Sequence, residues 1–102
     1  MDDATEKGWE LKQGDRLIGT LIFEGQDMFW SDCRFQPGPG WAGVRPLFDR
    51  VGDAWRNHDT DAAIAADEAI CAAGLVLQPS DGSAALTDFL LRIDGDKARF
   101  RW

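Results

Sequence analysis

The first third of the chain alternates hydrophobic and polar residues with a period of two, which is typical of β-strands. The alternation begins at Trp9, resumes over residues 17 to 24 after a turn, and resumes again over residues 29 to 36 after a second turn. One face of the third stretch carries Phe29, Ser31, Cys33 and Phe35, and the other carries Trp30, Asp32, Arg34 and Gln36. The pattern predicts an antiparallel meander of three strands.

The period changes to that of a helix after the segment PGPG at residues 37 to 40, because proline removes an amide donor and glycine favours a turn. Pro46 suits the first turn of a helix. The residues that then recur at helical spacing are Leu47, Phe48, Val51 and Trp55. A second, alanine-rich helix is expected with Asp59 or Thr60 as its N-cap and Gly74 at its end.

Alternation with a period of two returns after the second helix. Leu75 and Leu77 predict a short strand, and residues 89 to 93 and 98 to 102 predict a hairpin around a turn at residues 94 to 96. The predicted order of elements is β-β-β-α-α-β-β-β. This order predicts an α+β fold with a single antiparallel sheet and two helices packed on one of its faces.

The composition is that of a single globular domain. The chain has 102 residues, of which 44% are hydrophobic and 28% are charged, and no apolar run approaches the roughly 20 residues of a membrane-spanning helix. We expect one domain over residues 9 to 102 and a flexible tail over residues 1 to 8. The acidic N-terminal segment is unlike a signal peptide. We therefore expect a cytoplasmic protein in which Cys33 and Cys71 are free thiols in the core.

The register of the predicted strands divides the sheet into a core face and an outer face. The core face is expected to carry Trp9, Leu21, Phe23, Phe29, Cys33, Phe35, Phe89, Leu91, Ile93, Phe100 and Trp102. The outer face is expected to carry apolar and basic side chains together, namely Ile18, Ile22, Trp30, Val76, Leu90, Arg34, Arg92, Arg99 and Arg101. Tryptophan and arginine are enriched where proteins meet their partners. The alternative is an ordinary solvated face whose arginines pair with Asp32 and Asp88.

The candidate binding residues follow from this division of the sheet. They are Trp30, Arg34, Trp41, Leu90, Arg92, Arg99 and Arg101. Trp41 is included because it follows the PGPG segment and would stand at the rim of a small cavity between sheet and helices. The alternative for Trp41 is that it closes an edge of the core, as most tryptophans do.

The net charge of −7 bears on the choice of partner. An acidic protein is repelled by nucleic-acid phosphates and by anionic lipid, so neither nucleic acid nor membrane is an expected partner. A protein partner or a second copy of the chain is expected instead.

Catalytic chemistry has little support in the residue pattern. His58 is the only histidine and lies beside Asp59 and Asp61, so it could act as a general base or a metal ligand. The favoured interpretation is that it stabilises the end of the first helix. There is no second histidine, no metal-binding spacing of cysteines and no glycine-rich phosphate motif. We expect no metal, no cofactor and no catalytic residue, and we lean against an enzyme.

Four segments carry a resemblance to other proteins: WEL from Trp9, CRFQPGPG from Cys33, RPLF from Arg45 and IDGDKARFRW from Ile93. They resemble segments of small, acidic, uncharacterised bacterial proteins from high-GC genomes, which have no assigned activity. The resemblance supports the predicted fold and implies no catalytic residues.

The function expected from these observations is that of a small, non-enzymatic protein-interaction domain that could self-associate through the outer face of the sheet. One alternative is an acidic inhibitor or immunity-type protein that binds a basic partner through Asp49, Asp53, Asp59, Asp61 and Glu68. A second alternative is a small-ligand binder or enzyme built around His58, Asp67 and Trp41. Asp67 is expected at the edge of the apolar side of the second helix, partly buried.

Overall fold

The fold is an antiparallel sheet of six strands with two helices on one face, as the sequence predicts. The structure, a computed structural model, describes residues 8 to 101. The elements in chain order are β1 (Gly8–Gln13), β2 (Arg16–Asp27), β3 (Trp30–Pro37), α1 (Trp41–Arg56), α2 (Thr60–Ala72), β4 (Leu75–Pro79), β5 (Leu90–Asp94) and β6 (Lys97–Arg101). The predicted class and the order β-β-β-α-α-β-β-β are both confirmed.

The strands lie side by side in the order β4-β1-β2-β3-β6-β5, and every described pairing is antiparallel. The meander β1-β2-β3 forms the centre, and the C-terminal hairpin β5-β6 joins it by pairing β6 with β3. Gly95 makes the hairpin turn possible, since its φ of +62° lies in the left-handed region. The hairpin therefore extends the sheet beside β3, which brings distant parts of the sequence together.

A single hydrophobic core fills the space between the helices and one face of the sheet. The sheet contributes buried residues from all six strands, and α1 and α2 contribute Val44, Phe48, Val51, Ala66 and Ile70. Phe35, Phe100 and Leu21 are among the largest fully buried side chains. Burial of a large apolar side chain stabilises a fold by about 1.5–3 kcal/mol. This core holds the outer face of the sheet in position.

The first helix begins earlier than predicted. α1 starts at Trp41, so Pro46 is the sixth residue of the helix and not part of its first turn. Gly40 packs closely on β2 just before the helix: its amide donates to the carbonyl oxygen of Leu17 at 2.9 Å, and a Cβ atom there would lie 2.5 Å from Cδ of Arg16. Because Gly40 packs against β2, the chain turns immediately after the PGPG segment.

The second helix begins and ends where predicted. Asp59 is its N-cap, and its carboxylate accepts a hydrogen bond of 3.1 Å from the amide of Ala62. Gly74 follows the helix with a φ of +74°, which ends the helical conformation. Asp67 is partly buried, as expected from its place at the edge of the apolar side.

Several predicted placements are wrong. Phe29 was expected in the core, but it lies in the turn before β3 and is 73% exposed. Ile18 was expected on the outer face, but a shift of register between β1 and β2 at Leu11 and Lys12 turns it inward, and it is fully buried. Cys71 was expected in the core, but it is exposed on α2.

Most of the predicted tail, and the last residue of the chain, are not among the described residues. Residues 1 to 7 and Trp102 lie outside the described residues. Gly8, which was assigned to the tail, is the first residue of β1. Its neighbour Trp9 packs against the core as predicted.

Candidate functional site

The outer face of the sheet presents tryptophan and arginine side chains on the strands β3, β6 and β5. Asp32 of β3 lies opposite Arg99 of β6, which lies opposite Arg92 of β5. Their neighbours on each strand, such as Cys33, Ala98 and Ile93, are buried in the core. Because side chains alternate between faces, the first three lie on the opposite face of the strands, although Arg92, on the edge strand, reaches Asp67 of α2 and the Trp55 ring of α1.

Trp30 stands at the centre of a cluster of arginines. The guanidinium carbon of Arg99 is 5.2 Å from the centroid of the Trp30 ring, and those of Arg92 and Arg101 are each 5.8 Å away. Each such contact is attractive by about 0.5–1 kcal/mol at an exposed site. We call Trp30, Arg92, Arg99 and Arg101 the arginine–tryptophan cluster.

Acidic side chains hold two of these arginines in place. Nε of Arg99 donates a hydrogen bond of 2.9 Å to Asp32, and an Nη atom donates one of 3.2 Å to Asp27. The hydrogen bond to Asp32, with that to Asp27, raises the pKa of Arg99 further above its usual value. An Nη atom of Arg92 donates to Asp67 of α2 at 2.5 Å, which ties the edge of the sheet to the helix. The guanidinium groups of Arg92 and Arg99 are thus held beside Trp30 by hydrogen bonds.

Like charges lie directly opposite one another on this face. Arg34 is paired with Lys97 across β3 and β6, and Arg92 is paired with Arg99 across β5 and β6. Like charges in directly opposite positions destabilise a sheet. Carboxylates relieve the second pair. Asp94 lies opposite Lys97 on β5, but Arg34, Lys97 and Arg101 form no ion pair in the described part of the chain. These three cations remain available to a partner.

The three strands differ in charge from the rest of the molecule. β3, β5 and β6 together carry five basic and two acidic side chains, whereas the remaining sequence carries six basic and sixteen acidic side chains. A chain that is strongly acidic overall therefore presents one basic face. A charge distribution of this kind attracts and orients an acidic partner.

Two exposed apolar side chains adjoin the cluster. Met28 is 82% exposed and Phe29 is 73% exposed, both in the turn between β2 and β3. The guanidinium carbon of Arg101 lies 5.9 Å from the Phe29 ring centroid, so the turn and the cluster form one surface. The alternation of hydrophobic and polar residues predicted that Phe29 lies in the core, and this prediction is wrong. The position of a residue beside a turn was the only signal that could have corrected it.

The other three predicted binding residues do not all belong to this surface. Arg34 lies on the same face, and Leu90 lies opposite Arg101 and borders a surface depression beside α2. Trp41 is not part of the surface, because its ring packs against Phe35 at 4.7 Å and Phe48 at 5.4 Å. The interpretation of Trp41 as the closure of a core edge is the one that fits these contacts.

The residues of the catalytic alternative do not meet in one pocket. His58 is exposed just beyond the end of α1, with a φ of +56°, and its amide donates to the carbonyl oxygen of Trp55. Trp41 begins the same helix, so the two lie roughly 25 Å apart along its axis. Among residues 8 to 101, no group of three or more metal-ligating side chains is found. His58 lies at the end of the first helix, as the favoured interpretation requires.

The two cysteines have opposite environments. Burial raises the pKa of the Cys33 thiol to about 12, and the nearby carboxylates of Asp32 and Glu24 add to the shift. Cys71 is exposed on α2. A thiol with such a raised pKa is a poor nucleophile near neutral pH, because the thiolate is the reactive form.

Comparison of the chain with protein-family models, with curated proteins and with solved structures found no match. Neither helix of the described chain is both long and apolar enough to cross a membrane.

Proposed function

We propose that this protein is a small, non-enzymatic protein-binding domain, and that the outer face of β3, β6 and β5 binds an acidic segment of a partner. The observation that carries the proposal is the group of three arginines around Trp30 together with the like-charged pair Arg34 and Lys97, with Arg34, Lys97 and Arg101 outside any ion pair in the described structure. A partner carboxylate would relieve this repulsion and gain charge-assisted hydrogen bonds. The exposed Phe29 would add an apolar contact.

Face-to-face dimerisation through this surface is the less favourable form of the proposal. In a symmetric dimer the same surface meets itself, so the unpaired cations of one copy would face those of the other. Opposition of like charges at an interface costs several kcal/mol. An acidic partner gains from the same charges, and the partner is therefore a different protein or a different, acidic surface of a second copy.

The acidic inhibitor or immunity-type function is the alternative that the helices support. Asp49, Asp53, Asp59, Asp61 and Glu68 are all exposed on or beside α1 and α2. Asp49 and Asp53 already contact Arg45 and Arg56 within the same helix. This alternative requires a basic partner, which is the opposite charge from the one that the outer face requires.

A cytoplasmic location forms part of the proposal. Both Cys33 and Cys71 are free thiols, which is typical of proteins in a reducing compartment.

The proposal is tested with two labelled peptides of opposite charge. One alternates glutamate with phenylalanine, and the other replaces each glutamate with lysine. We expect fluorescence anisotropy to show saturable binding of the acidic peptide only, with affinity that falls as salt is added. Trp30→Ala and Arg101→Ala should each weaken binding at least about tenfold.

Arg50→Ala is the matched control, because Arg50 is an exposed arginine on α1, away from the outer face. It should leave the affinity unchanged. No saturable binding of the acidic peptide, or equal binding by Trp30→Ala, contradicts the proposal. Tighter binding of the lysine peptide supports the acidic inhibitor instead.

A further inference from the structure

The turn between β2 and β3 carries the most exposed large apolar side chains of the described chain. Among residues 8 to 101 four such side chains are exposed, and the two in this turn, Met28 at 82% and Phe29 at 73%, exceed the others. The other two, Trp55 and Ile64, lie apart from each other on α1 and α2. Isolated exposed apolar residues are ordinary. Met28 and Phe29 are adjacent at the tip of one hairpin, so they form a single apolar surface.

The backbone of this turn does not favour methionine. Asp27 pairs with Trp30, so Met28 and Phe29 form a two-residue hairpin turn. The φ of Met28 is +56°, in the left-handed region, where glycine is favoured because it has no Cβ atom. Asparagine and aspartate also tolerate this conformation. The fold alone would therefore favour glycine or a short polar residue here, and the chain has a long apolar one.

Neighbouring side chains hold the turn in one conformation. Nε2 of Gln26 donates a hydrogen bond of 3.2 Å to the carbonyl oxygen of Met28. The guanidinium carbon of Arg101 lies 5.9 Å from the centroid of the Phe29 ring. A surface that is already ordered loses less conformational entropy when a partner binds. The turn is therefore a preformed apolar projection at one end of the outer face.

The cations outside ion pairs lie at two distances from this turn. Arg101 lies beside Phe29, whereas Arg34 and Lys97 lie opposite each other farther along the strands. Arg34 is four residues beyond Trp30 on β3, and four residues of a strand span about 13 Å. A partner segment that lies along β3 therefore meets the apolar turn at one end and a pair of cations at the other.

We propose that Met28 and Phe29 are the apolar anchor of the binding site, and that the acidic segment of the partner carries an apolar side chain at the end that meets this turn. The inference rests on the function proposed above and adds what distinguishes one acidic partner from another. Phenylalanine contributes a large rigid apolar area, and the flexible side chain of methionine adapts to the partner's shape. Carboxylates beside the apolar side chain pair with Arg101, and those about four residues away pair with Arg34 and Lys97.

Two acidic peptides of equal charge test the inference. Both alternate glutamate with a second residue, which is phenylalanine in one peptide and serine in the other. We expect fluorescence anisotropy to show binding of the phenylalanine peptide at least about tenfold tighter than that of the serine peptide. Equal affinities would overturn the inference and leave the proposed function standing, whereas no binding of either peptide contradicts both.

The location is tested with serine substitutions of two exposed apolar residues. Phe29→Ser should weaken binding of the phenylalanine peptide at least about tenfold and leave binding of the serine peptide unchanged. Ile64→Ser is the matched control, because Ile64 is exposed on α2, outside the turn. It should leave both affinities unchanged. An equal loss in the two variants, or no loss in Phe29→Ser, would overturn the inference.

The backbone of Met28 allows stability and binding to be compared in one variant. Met28→Gly should raise the urea concentration at the midpoint of unfolding, because glycine adopts the positive φ without strain. It should also weaken binding of the phenylalanine peptide at least about threefold, because the apolar side chain is lost. Met28→Leu keeps an apolar side chain and should retain the wild-type affinity. A Met28→Gly protein that binds this peptide as tightly as the wild type would overturn the role of Met28.

Discussion

At the scale of single residues, glycines show where backbone and side chains approach most closely. A Cβ atom on Gly19 would lie 2.4 Å from the Phe35 ring and 2.9 Å from the carbonyl oxygen of Gln36. Gly25, on the same strand, has no atom within 4 Å of the equivalent position. One strand therefore contains both a glycine that packing requires and one that it does not.

Gly19→Ala should lower the free energy of unfolding by about 1–3 kcal/mol, because the methyl group overpacks the core against Phe35. Gly25→Ala should change it by no more than about 0.5 kcal/mol. Urea denaturation of both variants measures the difference. Equal stabilities would show that Phe35 does not pack over Gly19 as described.

The two thiols should differ in reactivity because one is buried and the other is exposed. At neutral pH, an aromatic disulfide reagent should label Cys71 of the folded protein rapidly and Cys33 only after unfolding. Cys71→Ser should abolish the rapid phase, and Cys33→Ser should retain it. Rapid labelling of Cys71→Ser would contradict the burial of Cys33.

The raised pKa of Cys33 also predicts a direction of pH dependence. The folded state retains the thiol proton up to about pH 12, whereas the unfolded chain releases it near the ordinary value of 9.0. The contribution of the buried thiol is therefore complete below pH 9.0 and is lost as pH rises toward 12. Urea denaturation should show a smaller alkaline loss of stability in Cys33→Ala than in the wild type.

At the scale of elements, the sequence pattern predicted the type of each helix and strand better than it predicted where α1 begins and how the strands pair. The hairpin β5-β6 and the cap of α2 depend on neighbouring residues, so local patterns predict them. The start of α1 depends on the packing of Gly40 against Arg16, and the burial of Ile18 depends on a register shift between strands. Such contacts between distant residues leave no periodic signal.

The candidate site was predictable only in part for the same reason. Alternation placed Trp30, Arg92, Arg99 and Arg101 on the outer face, because it gives the side of each strand. The pairing of β6 with β3, which brings Trp30 beside three arginines, is a long-range contact and could not be derived from alternation.

The N-cap of α2 offers a local test at this scale. Asp59→Ala should lower the free energy of unfolding by about 1 kcal/mol, because the amide of Ala62 loses its acceptor. Asp59→Ser should retain most of the stability, since serine is also an effective cap. Thermal denaturation followed by circular dichroism compares them. A loss as large in Asp59→Ser as in Asp59→Ala would argue against capping.

The pair Arg34 and Lys97 tests whether opposed like charges on the outer face lower the free energy of unfolding. Arg34→Glu replaces a pair of like charges by a pair of opposite charges, and should raise the free energy of unfolding by about 0.5 kcal/mol at low salt. Arg34→Gln, which only removes the repulsion, should give a smaller gain. Urea denaturation at low and high salt makes the comparison. A less stable Arg34→Glu variant would show that the opposition of like charges is not costly.

At the scale of the whole molecule, the separation of charge is the main feature. The strands β3, β6 and β5 carry five basic and two acidic side chains, α2 carries three acidic side chains and no basic one, and α1 carries three arginines and two aspartates. A partner that binds the outer face must be acidic, and a partner that binds the carboxylates of α2 must be basic. The charge of the preferred partner therefore reports which side of the molecule is functional.

The most direct test of this central claim is selection of short random peptides on the immobilised protein, with the Trp30→Ala, Arg101→Ala double variant selected in parallel. We predict that peptides enriched on the wild type carry an excess of aspartate and glutamate together with an aromatic residue, and that the double variant does not enrich them. Enrichment of lysine and arginine, or the same acidic peptides on both proteins, would contradict binding by the outer face.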